Sequence, residues 1–299
     1  MMKFGLRCAL WLAQWMSPAW AYRCARALGW FSYKLNLDAA QTTRVNLQSC
    51  FSHLSDAEIE QLCLHSLQQV PLLFFEFAQL AFWPLERLTG LIKDISGEDL
   101  LRDAFEAEEG VLLLVPHYGN WEILCAFLGV NYSVAALYDP PKVASLESVI
   151  VAARERYDGQ MFPIDTAGMR SIFKTLKAGK LVAILPDQVP SRESGVHVDF
   201  FGQPALTMTM THKLIQRNQP RVLLGVVRRQ FADGGGYGYR LEFQPVDEAV
   251  YADDPVQSAR AVNAAIEQVV LGDISQYQWE YKRFKRPPQL GKTNIYRRQ

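Results

Sequence analysis

From residue 110 onward, short apolar runs alternate with segments in which apolar side chains recur every three or four positions. The runs at 111–115, 133–137, 181–185, 222–227 and 237–244 are rich in aliphatic and aromatic residues. Their length and density predict buried strands. Between and after them, 120–129, 145–156, 168–178, 207–217 and 256–270 carry helical periodicity. This alternation predicts an α/β protein with a mainly parallel central sheet flanked by helices on both faces. The stretch "DGGGYG" (233–238) predicts a hairpin turn between the last two strands, its glycines supplying positive φ.

The pattern upstream is different. In "LSDAEIEQLCLHSLQQVPLLFFEFAQLAFW" (54–83), Ser55 and Glu58 have capping-box spacing. A long helix is predicted, interrupted near Pro71, with a second half that is apolar almost all round and suits core or membrane. Further upstream, "CALWLAQWMSPAWAY" (8–22) is 15 residues without a charge. A spanning helix needs roughly 20 apolar residues, and Pro18 interrupts this stretch. Lys3 and Arg7 ahead of it and "AWA" at 19–21 leave a cleaved secretory signal as one alternative and a true span as another. The aromatic pattern nevertheless continues past that site. Trp11, Trp15, Trp20, Tyr22, Trp30, Phe31 and Tyr33 are interleaved with Arg23, Arg26 and Lys34, the composition of a helix lying in a membrane interface. Residues 1–35 are therefore expected to form a helical, membrane-associated segment, and residues 36–299 a single domain without linker-like breaks.

Charge sharpens this picture. The 299-residue chain is formally neutral and 49% hydrophobic, enough for a large core. Its basic residues gather at the ends: five in 1–34 and seven in 282–299, with no acid in either stretch. Basic ends on an acidic body suggest a polyanionic partner surface, either anionic lipid or nucleic acid. "WEYKRFKR" (279–286) mixes Trp279, Tyr281 and Phe284 with four cations and fits either partner, or a solvated basic tail. The aromatic N-terminus favours membrane over nucleic acid. The five cysteines are odd in number and form no C-x-x-C pair, which argues against a disulfide framework or structural zinc.

Candidate chemistry begins at "VLLLVPHYGNWEIL" (111–124). A strand ending in Pro116 would place His117 in the following loop, with Gly119 shaping the turn, Asn120 capping a helix and Glu122 in its first turn. The carboxylate would then hold one ring nitrogen while the other faces a substrate. The plainer alternative is a backbone-bonded histidine beside an ordinary helix-start carboxylate. A second strand ends similarly in "LPDQVPSRESGVHVDFFGQPALTMT" (185–209), where Asp187, Gln188 and Arg192 follow Pro186. Cys125 allows a Cys–His hydrolase to be imagined, but a cysteine on an apolar helix face usually packs inertly. The remaining histidines lack ligand spacing, so no metal or other cofactor is expected.

Taken in order, "RVNLQSCFSHLSDAEIEQL", "PHYGNWE", "YDPPK", "AILPDQ", "GVHVDFFGQPALTMT" and "QYQWEYKRFKRPP" resemble the bacterial lipid A late acyltransferase family, within the lysophospholipid acyltransferase group. The resemblance covers nearly the whole chain. It implies that 36–299 is an acyltransferase domain and that the family's H-x-x-x-x-D/E motif falls on His117 and Glu122, as base and orienting partner. It implies a fatty acyl thioester donor, normally on acyl carrier protein and alternatively on CoA, and a lipid A precursor as acceptor. The location implied is the cytoplasmic face of the cell inner membrane, and Asp187 is placed beside the site. Asp139 departs from the arginine expected in "YRPP"; an acid there would repel phosphate. Lys142, Arg154 or Arg156 would have to compensate, or the acceptor differs, for example a lysophospholipid or an amino-acid-derived lipid. A non-catalytic lipid-binding homologue is the remaining alternative.

Overall fold

The computed structural model describes residues 2–140, 144–233, 235–288 and 295–296. Its strands are β1 (Ile92–Ser96), β2 (Val111–Leu114), β3 (Ala135–Tyr138), β4 (Gln160–Pro163), β5 (Leu181–Ile184), β6 (Gly195–Phe200), β7 (Gln203–Met208), β8 (Arg221–Phe231) and β9 (Tyr237–Pro245). Seven of these form one sheet in the order β1-β9-β8-β2-β5-β3-β4. Its pairings are parallel except β8 with β9, which are antiparallel across the expected glycine-rich turn.

The helices are α1 (Met2–Ala13), α2 (Pro18–Lys34), α3 (Asp38–Cys50), α4 (Asp56–Gln69), α5 (Leu72–Phe82), α6 (Leu85–Thr89), α7 (Glu98–Glu106), α8 (Trp121–Tyr132), α9 (Ala144–Glu155), α10 (Thr166–Lys177), α11 (Met210–Asn218) and α12 (Pro255–Gly272). They cover both faces of the sheet, so strand residues of both parities are buried. Leu112, Leu114, Val182, Ile184, Val222 and Leu224 pack with α3, α4, α10, α11 and α12. Val111, Leu113, Leu181, Ala183 and Leu223 pack with α1, α2, α5, α7 and α8 on the other face. Burial on both sides explains why these strands read as continuous apolar runs without alternation.

The capping box is present: Ser55 accepts from the Glu58 backbone and Glu58 reaches back to the Ser55 N–H. The long helix breaks at Pro71 into α4 and α5. Ser17 and Pro18 start α2 afresh after α1. Leu10, Ala13, Ala21 and Ala25 are buried in the same cluster as the sheet, while Trp11, Trp15, Trp20, Trp30 and Phe31 stay exposed. Gly29 lets α2 cross α4 closely: a Cβ there would stand 2.3 Å from the Leu67 carbonyl oxygen. Among the described residues, no helix is long and apolar enough to cross a membrane.

Some elements depart from the pattern. β1 and β4 are edge strands, "IKDIS" and "QMFP", whose partly exposed positions leave no continuous apolar run to read. The segment expected to begin a helix at 207 instead completes the β6–β7 hairpin, and α11 starts at Met210. That hairpin turns through Phe201 and Gly202, both at positive φ, the backbone of a two-residue primed turn. A phenylalanine at the first of these positions conceals the signal, because bulky residues rarely take that conformation.

Candidate active site

β2 and β5 are parallel neighbours with Leu114 opposite Ile184. Each runs on to a proline, Pro116 or Pro186, which has no N–H to extend the ladder. Both loops therefore leave the sheet together, at the carboxyl ends of parallel strands where open α/β folds form their crevices. His117 stands in the first loop, Asp187 and Gln188 in the second.

The His117 loop is tightly held. Gly119 has φ +57°, and a Cβ there would lie 1.8 Å from the Val227 carbonyl oxygen. Its N–H donates to Gln276 O at 3.0 Å, and Gln278 N–H donates to His117 O at 3.1 Å. Asn120 occupies the N-cap position of α8, but its side chain makes no capping hydrogen bond.

Asp187 is 2% exposed. Its Oδ2 accepts the His117 backbone N–H at 2.9 Å and its Oδ1 lies 2.7 Å from Nδ1 of the ring. Burial alone would push this carboxyl up. The charge and hydrogen bonds of His117, with a smaller contribution from the Arg283 charge, outweigh burial and hold it below the ordinary carboxylate range. An ionised carboxylate only accepts, so Nδ1 carries the proton and Nε2 presents its lone pair. The Gln188 side-chain amide donates to that Nε2 at 3.1 Å. Trp121 packs edge-on against the ring, 4.9 Å between centroids.

The expected contact between His117 and Glu122 is replaced by two separate pairs. Glu122 sits in the first turn of α8 as predicted, but both of its oxygens are taken by Arg154, at 2.9 Å from Nε and 2.5 Å from Nη2. The bidentate fork from α9 outcompetes a single imidazole N–H, and Asp187, fixed by the parallel register, takes the histidine. Arg154 is correspondingly raised, since Glu122 more than offsets its burial.

The other sequence candidates divide. Gln188 and Asp139 line the same cavity as His117, Glu122 and Arg154. Arg156 points away, donating to Ala81 O at 3.1 Å. Arg192 is exposed in a short 3-10 turn and donates to Pro287 O at 3.3 Å. Lys142 lies outside the described residues. Cys125 lines the cavity wall, and burial pushes its thiol up to about 12, which disfavours the thiolate. The "WEYKRFKR" stretch is no solvated tail: Trp279, Arg283 and Phe284 are buried, and Trp279, Tyr281 and Arg283 line a small gap together with Asp187.

The cavity holds about 850 Å³. Its lining sets His117, Gln188, Gln278, Glu122 and Arg154 beside the apolar side chains of Leu124, Leu128, Val134, Ala136 and Met161. A second, largely apolar hollow of about 300 Å³, bordered by Leu10, Leu73, Phe74 and Phe77, shares Trp121, Glu122, Ile150 and Arg154 with it. The arrangement suits proton removal from a polar group beside apolar walls that could take an aliphatic chain.

Comparison with known proteins identifies the family. A family model described as bacterial lipid A biosynthesis acyltransferase matches residues 4–286. The chain is similar to a lipid A biosynthesis lauroyltransferase of Escherichia coli strain K12, 25% identical over 94% of this chain and 90% of the relative. It is also similar to a lipid A biosynthesis palmitoleoyltransferase of the same organism, 28% identical over 85% and 80%. A lipid A biosynthesis acyltransferase of Haemophilus influenzae is 26% identical over 98% and 93%. With the match running through nearly every element described above, the chain belongs to the bacterial lipid A biosynthesis acyltransferase family and is an acyltransferase.

Proposed function

We propose that this acyltransferase moves a fatty acyl chain from a thioester, carried by acyl carrier protein with CoA as the alternative donor, to a hydroxyl of a lipid A precursor. The observation that carries the proposal is the ring of His117: Nδ1 held by a buried carboxylate, and the ring lining a cavity that mixes polar and apolar side chains. An acceptor hydroxyl replacing Gln188 at Nε2 would lose its proton to the ring as its oxygen attacks the thioester carbon. The carbon–sulfur bond then breaks, and the departing thiolate takes the proton from His117, leaving an ester and a free thiol. Asp187 stabilises the transient imidazolium, and Gln188 and Arg154 are the nearby donors for the oxyanion. In this scheme Glu122 is a positioning residue that holds Arg154 in the cavity wall.

We place the reaction at the cytoplasmic face of the inner membrane. Support comes from α1 and α2, which bury small and aliphatic residues against the sheet and leave Trp11, Trp15, Trp20, Trp30 and Phe31 outward among basic residues. The hollow beside Phe74 would admit lipid from that side to the Glu122–Arg154 wall.

The test is purified protein with acyl-carrier-protein and CoA thioesters and a lipid A precursor in vesicles, read by mass spectrometry. The His117→Ala variant should be slower by roughly 10²–10⁴-fold, and near-normal turnover would remove the base assignment. Asp139 at the cavity lip, where an acid repels phosphate, favours a second reading: the same chemistry on another acceptor, such as a lysophospholipid or an amino-acid-derived lipid. Mass spectrometry of lipids from cells with and without the protein decides between the acceptors.

A further inference from the structure

Arg283 is 3% exposed, yet no carboxylate pairs with it among the described residues. Its Nη1 donates to Leu206 O at 2.6 Å and its Nη2 to Thr207 Oγ1 at 2.8 Å, both neutral acceptors, and Nε has no partner. The guanidinium lies over the Phe200 ring, 5.4 Å from its centroid. A buried cation left to neutral partners is expensive unless an opposite charge stands near.

Asp187 has the converse problem. While His117 is neutral, the buried carboxylate has only neutral partners: the ring, the His117 backbone N–H and the Tyr277 hydroxyl. The two residues border one small gap of about 10 Å³, closed by Asn46, Gln188, Tyr277, Gln278, Trp279 and Tyr281, room for a single water at most. Each is the opposite charge the other lacks. The other titratable groups acting on this pair and on His117 are Tyr277, Tyr281 and Tyr296 from the C-terminal segment, Cys50 at the end of α3, and Glu280, whose carboxyl burial raises. The Glu122–Arg154 pair stands on the cavity side of His117.

We propose that Arg283 is a positioning residue: acting across this gap, its charge offsets part of that of the ionised Asp187, so that the carboxylate orients the His117 ring without fixing it as imidazolium. The closing "QYQWEYKRFKRPP" segment thereby becomes the back wall of the catalytic pair, with Tyr277 and Trp279 as its packing and Arg283 as its charge. The inference rests on the reading of His117 as base.

The experiment follows the His117 ring by NMR titration in the full-length protein, without turnover, in the parent, Arg283→Met, Arg283→Gln and Arg283→Lys, each checked by thermal denaturation. Loss of the positive charge should move the ring's titration midpoint upward by about one pH unit or more relative to the parent, in both the Met and Gln variants. Lysine, which keeps the charge but not the fork, should stay near the parent. In acyl transfer, the acid limb of the kcat profile should move with the midpoint while KM holds, and guanidinium ion should partly rescue Arg283→Ala. Met and Gln variants that leave the midpoint unmoved, or a Lys variant that moves it as far as Met, would overturn the inference. If the titrations behave as expected but His117→Ala keeps its activity, the coupling stands and the base assignment is what fails.

Discussion

Replacing Asp187 by asparagine keeps the side chain's volume and removes its charge. In the parent, Oδ2 accepts the His117 backbone N–H and Oδ1 accepts from Nδ1. Asparagine has one oxygen. If that oxygen stays on the backbone N–H, the new NH₂ group faces Nδ1, which must then accept. The ring proton moves to Nε2, and the nitrogen facing the cavity can no longer act as a base. If the amide flips, the backbone N–H meets a donor and the loop is disturbed. The imidazolium formed during reaction also loses its counter-charge. Opposite charges about 4 Å apart are worth about 4 kcal/mol at an effective dielectric constant near 20, or roughly 10³-fold in rate. Tautomer and charge act through the same proton, so the two effects do not add. The expected fall in kcat is about 10³–10⁴-fold, with KM little changed because Asp187 does not line the acyl cavity. The assay is single-turnover acyl transfer from a carrier thioester, with circular dichroism to confirm the fold. A variant within tenfold of the parent would refute the reasoning. So would a Glu122→Gln variant that abolishes proton transfer while Asp187→Asn does not, since that would return the orienting role to Glu122.

Other consequences are open to measurement. Gly119→Ala should inactivate or unfold the protein, since its Cβ would enter the Val227 carbonyl; turnover near that of the parent would show that the loop moves freely. Arg229 and Glu76 pair through two 2.6 Å hydrogen bonds in a fully buried setting between β8 and α5. Glu76→Gln should therefore cost about 3–5 kcal/mol of stability, visible as a fall in melting temperature of about 6 °C. Replacing the exposed Trp15, Trp20, Trp30 and Phe31 together by serine should release the protein from anionic vesicles by at least tenfold in partition without lowering its melting temperature. Unchanged sedimentation with vesicles would exclude an anchor built on those side chains.

Much of this was legible in the chain because local rules and global fold agree. Runs such as "VLLLV" and "LVAIL" suit strands buried on both faces, and alternating them with periodic helical segments points to a parallel sheet. The capping box at Ser55, the break at Pro71 and the strand-ending prolines are local chemistry and appear where the residues place them. Helix position put Glu122 in the first turn of α8, and strand–loop logic put His117 and Asp187 at strand ends. Which carboxylate meets the histidine was beyond the sequence. His117 and Glu122 are five residues apart and invite pairing, whereas Asp187 is seventy residues away. Only the parallel register of β2 with β5 makes Asp187 the nearer partner, and only the docking of α9 beside α8 delivers Arg154 to claim Glu122. The C-terminal segment makes the same point. A run of cations and aromatics reads as a surface tail, because sequence carries no information on burial by distant elements. Tertiary packing buries Trp279 and Arg283 behind the site, since a cation can leave water where the fold supplies a carbonyl, a hydroxyl and a ring face.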